Sequence, residues 1–109
     1  WMSKPSGQVS TGGAVLSRAT GLVYSTANKR GKRDWNKPFG GNGCVRAFDF
    51  KSGELRWSVD LDLEANALPA VAPVGPEGRL IVIVPAGANP GTHANPTGDF
   101  FPAKVLALD

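Results

Sequence analysis

The 109 residues are 41% hydrophobic and 8% aromatic, enough for one small core and too few for two independent ones. A formal charge of +3 is too mild to single out nucleic acid as a partner, and there is neither a run of about 18 apolar residues nor a charged leader followed by an apolar stretch. Gly and Pro, 14 and 9 in number, follow no short period and indicate many turns, hence β structure. Because the chain opens on Trp1 rather than Met, the expectation is a cut or processed boundary and not a gene start.

No window shows a helical apolar stripe free of Gly and Pro, so helices are expected to be absent. Strands are expected at Ala14 to Ser17, Leu22 to Thr26, Cys44 to Phe50, Glu54 to Asp60, Ala67 to Val74, Arg79 to Val84 and Lys104 to Asp109, each bounded by Gly, Pro, Asn or Ser. Hairpin turns are expected at Ala19-Thr20-Gly21, Lys51-Ser52-Gly53 and Gly75-Pro76-Glu77-Gly78. Two connections are long, Ala27 to Gly43 and Pro85 to Ala103, and loops of that length are usually functional or mobile. The first holds Lys29, Arg30, Lys32, Arg33 and Lys37 with Trp35 and Phe39. This cluster reads either as a solvated loop or as a binding loop for phosphate or an acidic partner with Trp35 stacking. The second holds His93 and Asp99; a lone loop histidine is usually solvated, and no nucleophile is spaced to form a triad with it. The single cysteine, Cys44, excludes an internal disulfide, and with only His93 beside it there is no zinc ligand set.

The chain repeats itself. Ala47-Phe48-Asp49 returns as Ala107-Leu108-Asp109 at an offset of 60 residues, and Gly21-Leu22-Val23-Tyr24 returns in Gly78-Arg79-Leu80-Ile81-Val82 at an offset of 57. The second copy lacks a fourth strand. Four antiparallel strands make one blade of a β-propeller, which buries its faces only against neighbouring blades. The expected fold is therefore all-β, about two four-stranded antiparallel blades (4+3 strands), blade one at about 12–60 and an incomplete closing blade at about 67–109.

The stretch Ala47-Phe48-Asp49-Phe50-Lys51-Ser52-Gly53-Glu54-Leu55-Arg56-Trp57 fits A-x-D-x-x-[TS]-G-x-x-x-W. Asp49 is suited to accept backbone N–H groups across a tight turn, Gly53 to supply positive φ, and Trp57 to bury a flat face between blades while its N–H bonds to backbone. This pattern resembles the repeat of quinoprotein, or PQQ-type, β-propellers. The order Thr11-Gly12-Gly13, Ala19-Thr20-Gly21-Leu22-Val23-Tyr24, Val45-Arg46-Ala47-Phe48-Asp49, Asn66-Ala67-Leu68-Pro69, Leu80 to Gly87, Gly98-Asp99 and Val105-Leu106-Ala107-Leu108 is similar to the two C-terminal blades of PQQ-dependent sugar and alcohol dehydrogenases, glucose and quinate type. The resemblance covers about Gly12 to Asp109.

That resemblance implies an eight-bladed ring whose other blades lie elsewhere, and a last blade that takes its outermost strand from the N-terminal part of the parent chain. It implies the cofactor pyrroloquinoline quinone on the ring axis, a calcium or lanthanide ion polarising its C5 carbonyl, and an aspartate general base oxidising an alcohol or sugar hydroxyl. The metal-binding and catalytic carboxylates of the family lie upstream of the matched region, so no catalytic or metal residue is assigned here. Thr11 and Gly12, with Ser10 beside them, are the pocket candidates, since the place that holds a Trp in methanol-type members is Thr11 here; the alternative is that Gly12-Gly13 only permits a crowded turn. Asn66 begins the next innermost strand and is a further cofactor-binding candidate or an ordinary polar residue at a strand start. The long Ala27 to Gly43 connection departs from the family's short turn, and there is no C-x-x-C-H for a covalent haem.

The implied function is oxidation of a sugar, polyol or alcohol by a longer enzyme in the periplasm or on the outer face of the bacterial inner membrane. A quinone or cytochrome would be its electron acceptor, and the isolated segment is expected to be inactive. Two other readings stay open: a quinone-free propeller scaffold for protein interaction in the bacterial envelope, and a small basic β module binding nucleic acid through Lys29 to Lys37.

Overall fold

The computed structural model describes residues 9–29, 42–87 and 103–108. These form β1 (Val9–Ser17), β2 (Leu22–Asn28), β3 (Gly43–Asp49), β4 (Leu55–Asp60), β5 (Ala70–Val74), β6 (Arg79–Gly87) and β7 (Ala103–Leu108), with no helix among them. All pairings are antiparallel, in a four-stranded sheet ordered β1-β2-β3-β4 and a three-stranded sheet ordered β5-β6-β7. The all-β, four-plus-three arrangement expected from the sequence is the one observed.

Strand ends differ from expectation where irregular backbone interrupts alternation. β1 starts at Val9 rather than Ala14, and its register moves from Val9↔Asn28 to Gly13↔Thr26 across a bulge, so no simple period of two marks it. β6 continues through Pro85 to Gly87. The Gly87 N–H donates to the Glu64 carbonyl at 2.7 Å, away from β7, so by alternation the missing N–H of Pro85 faces the same side. There β5 has already ended, at Ala70↔Ile83, and no ladder bond is lost. Pro73 lies on β5, an edge strand, where proline is tolerated.

The hairpin turns form as read. Gly21 N–H donates to Ser17 O at 2.9 Å, Gly53 N–H to Asp49 O at 2.8 Å and Gly78 N–H to Gly75 O at 3.1 Å. The repeat is structural too, with one adjustment. Ala47 pairs with Tyr24 and Ala107 with Ile83, which is two residues beyond the counterpart of Tyr24 at the 57-residue offset. A slip of two keeps every side chain on its face, whereas a slip of one would invert the strand.

The core lies between the sheets. The inner face of the first contributes Tyr24, Val45 and Ala47, flanked by half-buried Leu22, Trp57 and Val59; the second contributes Val82, Val84 and Ala86, flanked by Val71 and Leu108. A crossing segment, residues 61–69, carries the chain from β4 to β5 and adds Leu61, Leu63 and Ala65 to the same cluster. Gly43 seats it. Gly43 N–H donates to Leu63 O at 2.7 Å while Leu61 N–H donates to Gly43 O at 2.8 Å. A Cβ at Gly43 would stand 2.6 Å from Ala65 N and 2.7 Å from Leu63 O, so only glycine allows this approach.

Candidate functional site

Antiparallel pairing gives the two sheets unlike ends. At one, the strands join through the turns 18–21, 50–54 and 75–78. At the other lie the start of β1, the ends of β2 and β6, the starts of β3 and β7, and the crossing segment. Both long connections leave from this second end, and it holds all four pocket candidates.

The tight-turn end carries the repeat motif. Asp49 Oδ1 accepts the N–H groups of Lys51 at 2.9 Å and Ser52 at 2.8 Å, and Gly53 has φ of 74°, a conformation costly for any residue with a Cβ. The Ser52 N–H bond, followed by the Ser52 hydroxyl, the Lys51 N–H and the Arg56 charge, pulls the Asp49 carboxyl below the usual aspartate range against a desolvation effect of opposite sign. Ala47 is fully buried, and Trp57 sits opposite it with its ring 5.8 Å from that of Tyr24 at an interplanar angle of 47°. The Tyr24 hydroxyl is paired with Thr20 Oγ1 at 3.0 Å. The Trp57 indole N–H, expected on a backbone acceptor, makes no hydrogen bond among the described residues; the side chain is only half-buried, so water can satisfy it. These four residues build a turn and a core contact and hold no reactive group.

At the loop-rich end a chain of amides joins the sheets. Asn28 Oδ1 accepts Ala65 N–H at 2.8 Å, and Asn28 Nδ2 donates to Asn66 Oδ1 at 2.5 Å. Asn66 Nδ2 donates to Glu64 Oε2 at 2.9 Å and, at a longer 3.5 Å, to Gly87 O. Thr26 Oγ1 donates to Ala67 O at 2.8 Å. Glu64, Asn28 and Thr26 are all fully buried, Glu64 being the largest such side chain. Buried polar groups persist when their bonds are made, and this set ties β2, the crossing segment and β6 together.

Asn66 is therefore in place at the expected end, but its side-chain amide is engaged within the chain, Nδ2 with Glu64 and Gly87 and Oδ1 with Asn28. Ser10, Thr11 and Gly12 fall in the β1 bulge, one pairing away from Asn28; their side chains lie outside the described residues. The register irregularity sets this segment beside Asn28, between the Val9↔Asn28 and Gly13↔Thr26 pairs. Among the described residues no group of three His, Cys, Asp or Glu could hold a metal ion.

Of the basic run only Lys29 lies within the described residues. Its Nζ is 2.6 Å from Asp60 Oδ2, with side-chain exposures of 45% and 66%, a pair contributing at most about 1 kcal/mol. Arg30, Lys32, Arg33, Lys37, Trp35, Phe39, His93, Asp99 and Asp109 lie outside the described residues. Cys44 has no exposed surface. Burial is the main cause that pushes its thiol up, partly offset by Arg46 and Lys29.

Sequence reasoning missed Asn28 and Glu64. Leu61, Leu63 and Ala65 alternate with Asp62, Glu64 and Asn66, a pattern that reads as an edge with polar groups turned to water. Only Asp62 is exposed. The one available signal was a carboxylate two residues before an amide, Glu64-Ala65-Asn66, within an apolar stretch. No protein-family profile matches the chain, no curated protein matches it, and no solved structure matches it.

Proposed function

We propose that this chain is the C-terminal segment of a PQQ-dependent dehydrogenase oxidising a sugar, polyol or alcohol hydroxyl, in which it completes a propeller ring and forms part of the cofactor-pocket wall. The observation that carries this reading is the fold of the Ala47 to Trp57 motif. Asp49 receives two backbone N–H groups, Gly53 adopts positive φ and Trp57 packs on the core opposite Ala47. Apart from the expected backbone bond of the Trp57 indole, these are the roles the quinoprotein repeat assigns to those places, and Ala47 and Trp57 belong to the cluster between the two sheets.

The described residues do not by themselves make a quinone or metal seat. Asn66 has its donors engaged and no carboxylate cluster is present among them. The proposal therefore places the calcium or lanthanide ligands and the general base in the rest of the parent chain, and gives this segment the β1 bulge as wall. No chemical step is assigned to its residues. When bound, the ion would act as a Lewis acid on a quinone carbonyl and the quinone would accept the substrate's electrons. The partners in this reading are the remaining blades, a small alcohol or sugar, and a quinone or cytochrome acceptor, in the periplasm or at the outer face of the inner membrane.

The test is the reading frame that contains these residues. Its full-length product is expected to encode six further blades with the carboxylates, to reduce an artificial dye when given PQQ and calcium, and to melt at higher temperature with both. A frame without those carboxylates, or a product that neither reduces dye nor shifts its melting point, ends this reading. The engaged Asn66 amide favours a second one, a quinone-free propeller scaffold in the bacterial envelope. For that protein PQQ and calcium leave the melting curve unmoved.

A further inference from the structure

We infer that Asn42 is a self-modifying site: its side chain closes on the Gly43 nitrogen to a succinimide when the crossing segment lifts from β3, and the isoaspartate that follows keeps the segment from settling back. Asn42-Gly43 is the one Asn-Gly pair in the sequence. Glycine has no Cβ to shield its own nitrogen, which leaves the approach to the Asn42 side-chain carbon open for a five-membered ring. The other asparagines are followed by Lys29, Lys37, Ala67, Pro90 and Pro96, a bulkier neighbour in the first three and a nitrogen without N–H in the prolines. Asn42 is exposed, so water and solvent base reach it.

The closed fold withholds the nitrogen. Both polar atoms of the Asn42–Gly43 peptide unit are bonded: its carbonyl accepts the Lys29 N–H at 2.8 Å, and its N–H donates to Leu63 O at 2.7 Å. Attack needs the N–H proton given up to solvent base and the nitrogen turned toward Asn42 Cγ. Because C=O and N–H point to opposite sides of a trans peptide, the two bonds together hold its plane against that turn. Gly43 is also buried, and a Cβ there would stand 2.6 Å from Ala65 N and 2.7 Å from Leu63 O, so the strand has no slack. The Leu63 half of the clamp belongs to residues 61–69, which have no ladder of their own, and such a segment opens at less cost than the strands beneath it. Once it lifts, the Gly43 nitrogen pair forms a bond to Asn42 Cγ, the C–NH2 bond breaks and ammonia leaves. Water then opens the imide. Cleavage at the side-chain carbonyl leaves aspartate on an intact backbone; cleavage at the main-chain carbonyl leaves isoaspartate. In isoaspartate the chain runs through Cβ and Cγ, one methylene longer, and the carbonyl that held Lys29 becomes a free carboxylate. Gly43 is then displaced from the positions of both its partners. This inference does not depend on the quinone reading.

The test incubates the full chain in mildly alkaline buffer, native and in urea. Peptide mapping by mass spectrometry follows the change from amide to acid at Asn42, and enzymatic methylation reports the isoaspartate share. Conversion is expected to be at least about tenfold slower in the native chain than in urea, and Asn42→Gln, which needs a six-membered ring, to lose the signal in both. Asn28→Ala and Thr26→Val each remove a bond to the crossing segment and leave the dipeptide untouched. With native circular dichroism retained, each is expected to speed native conversion about fivefold and to leave the rate in urea unchanged. The unsubstituted chain is expected to show the same acceleration in urea below its unfolding transition, a reading that needs no variant. The isoaspartate form, separated from aged chain by ion exchange, is expected to unfold at a lower urea concentration than Asn42→Asp, which carries the charge without the extra methylene. No conversion in urea overturns the site, and native conversion as fast as in urea overturns the clamp. Native rates unmoved by the folded variants and by low urea, or an isoaspartate form as stable as Asn42→Asp, overturn the role given to the crossing segment.

Discussion

At the scale of single residues, the chemistry divides between charge held at the surface and groups withdrawn from water. Asp49 accepts two backbone N–H groups, and its carboxyl is held below the usual range. Its folded-state value is depressed, so the stability it contributes is present above the unfolded value and is lost as pH falls through the folded one. Resistance to denaturant is expected to fall as pH drops below about 4. Asp49→Asn keeps one acceptor oxygen without the charge and is expected to shrink that acid loss; an unchanged pH profile would show that the turn does not depend on the ionised group. Cys44 behaves oppositely. Fully buried and with its thiol pushed up by desolvation, it is expected to react with iodoacetamide slowly in the native state and rapidly in denaturant. Labelling followed by mass spectrometry distinguishes the two, and fast native labelling at neutral pH would mean that β3 opens locally.

At the scale of elements, the short turns are self-contained, whereas the crossing segment depends on the strands beneath it. A hairpin such as 18–21 forms from its own residues, and its glycine sits where the chain reverses. Residues 61–69 have no ladder of their own and are held by Gly43, Asn28, Thr26 and Gly87. Gly43→Ala is the sharpest probe of that contact, since its methyl meets backbone atoms at 2.6 and 2.7 Å that no rotamer change can move. A loss of about 3 kcal/mol is expected, measured as a lower urea midpoint with an unchanged slope. A cost comparable to an ordinary surface substitution would show that the segment can lift away.

At the scale of the whole molecule, apolar contact and a polar relay join the sheets together. The relay from Ala65 through Asn28 and Asn66 to Glu64 runs between elements distant in sequence and is buried at both ends. Removing one member leaves the others with unmet bonds in a dry place, about 1–3 kcal/mol. Asn28→Ala and Asn66→Ala are therefore expected to be strongly non-additive, with a coupling of about 1 kcal/mol or more in a double-mutant cycle of unfolding free energies. Additive losses would mean that the two amides act separately, each through its own backbone contact.

The number, order and type of strands were legible from the amino acids alone, because the strands are short, apolar and bounded by Gly, Pro, Asn or Ser. The motif turn was legible for a similar reason: Asp49, Ser52 and Gly53 make their contacts within five residues. The site was only partly so. Ser10 to Gly12 and Asn66 were placed at the same end, but the engagement of Asn66 with Glu64 and Asn28 could not be read, since those partners meet across 38 residues for the longest link. Burial of Glu64 inverted a pattern that locally pointed its carboxylate to water. Which face of each sheet is inside, and which is left open, was decided by the tertiary structure, because alternation assigns side chains to two faces and only packing of one sheet on the other distinguishes them.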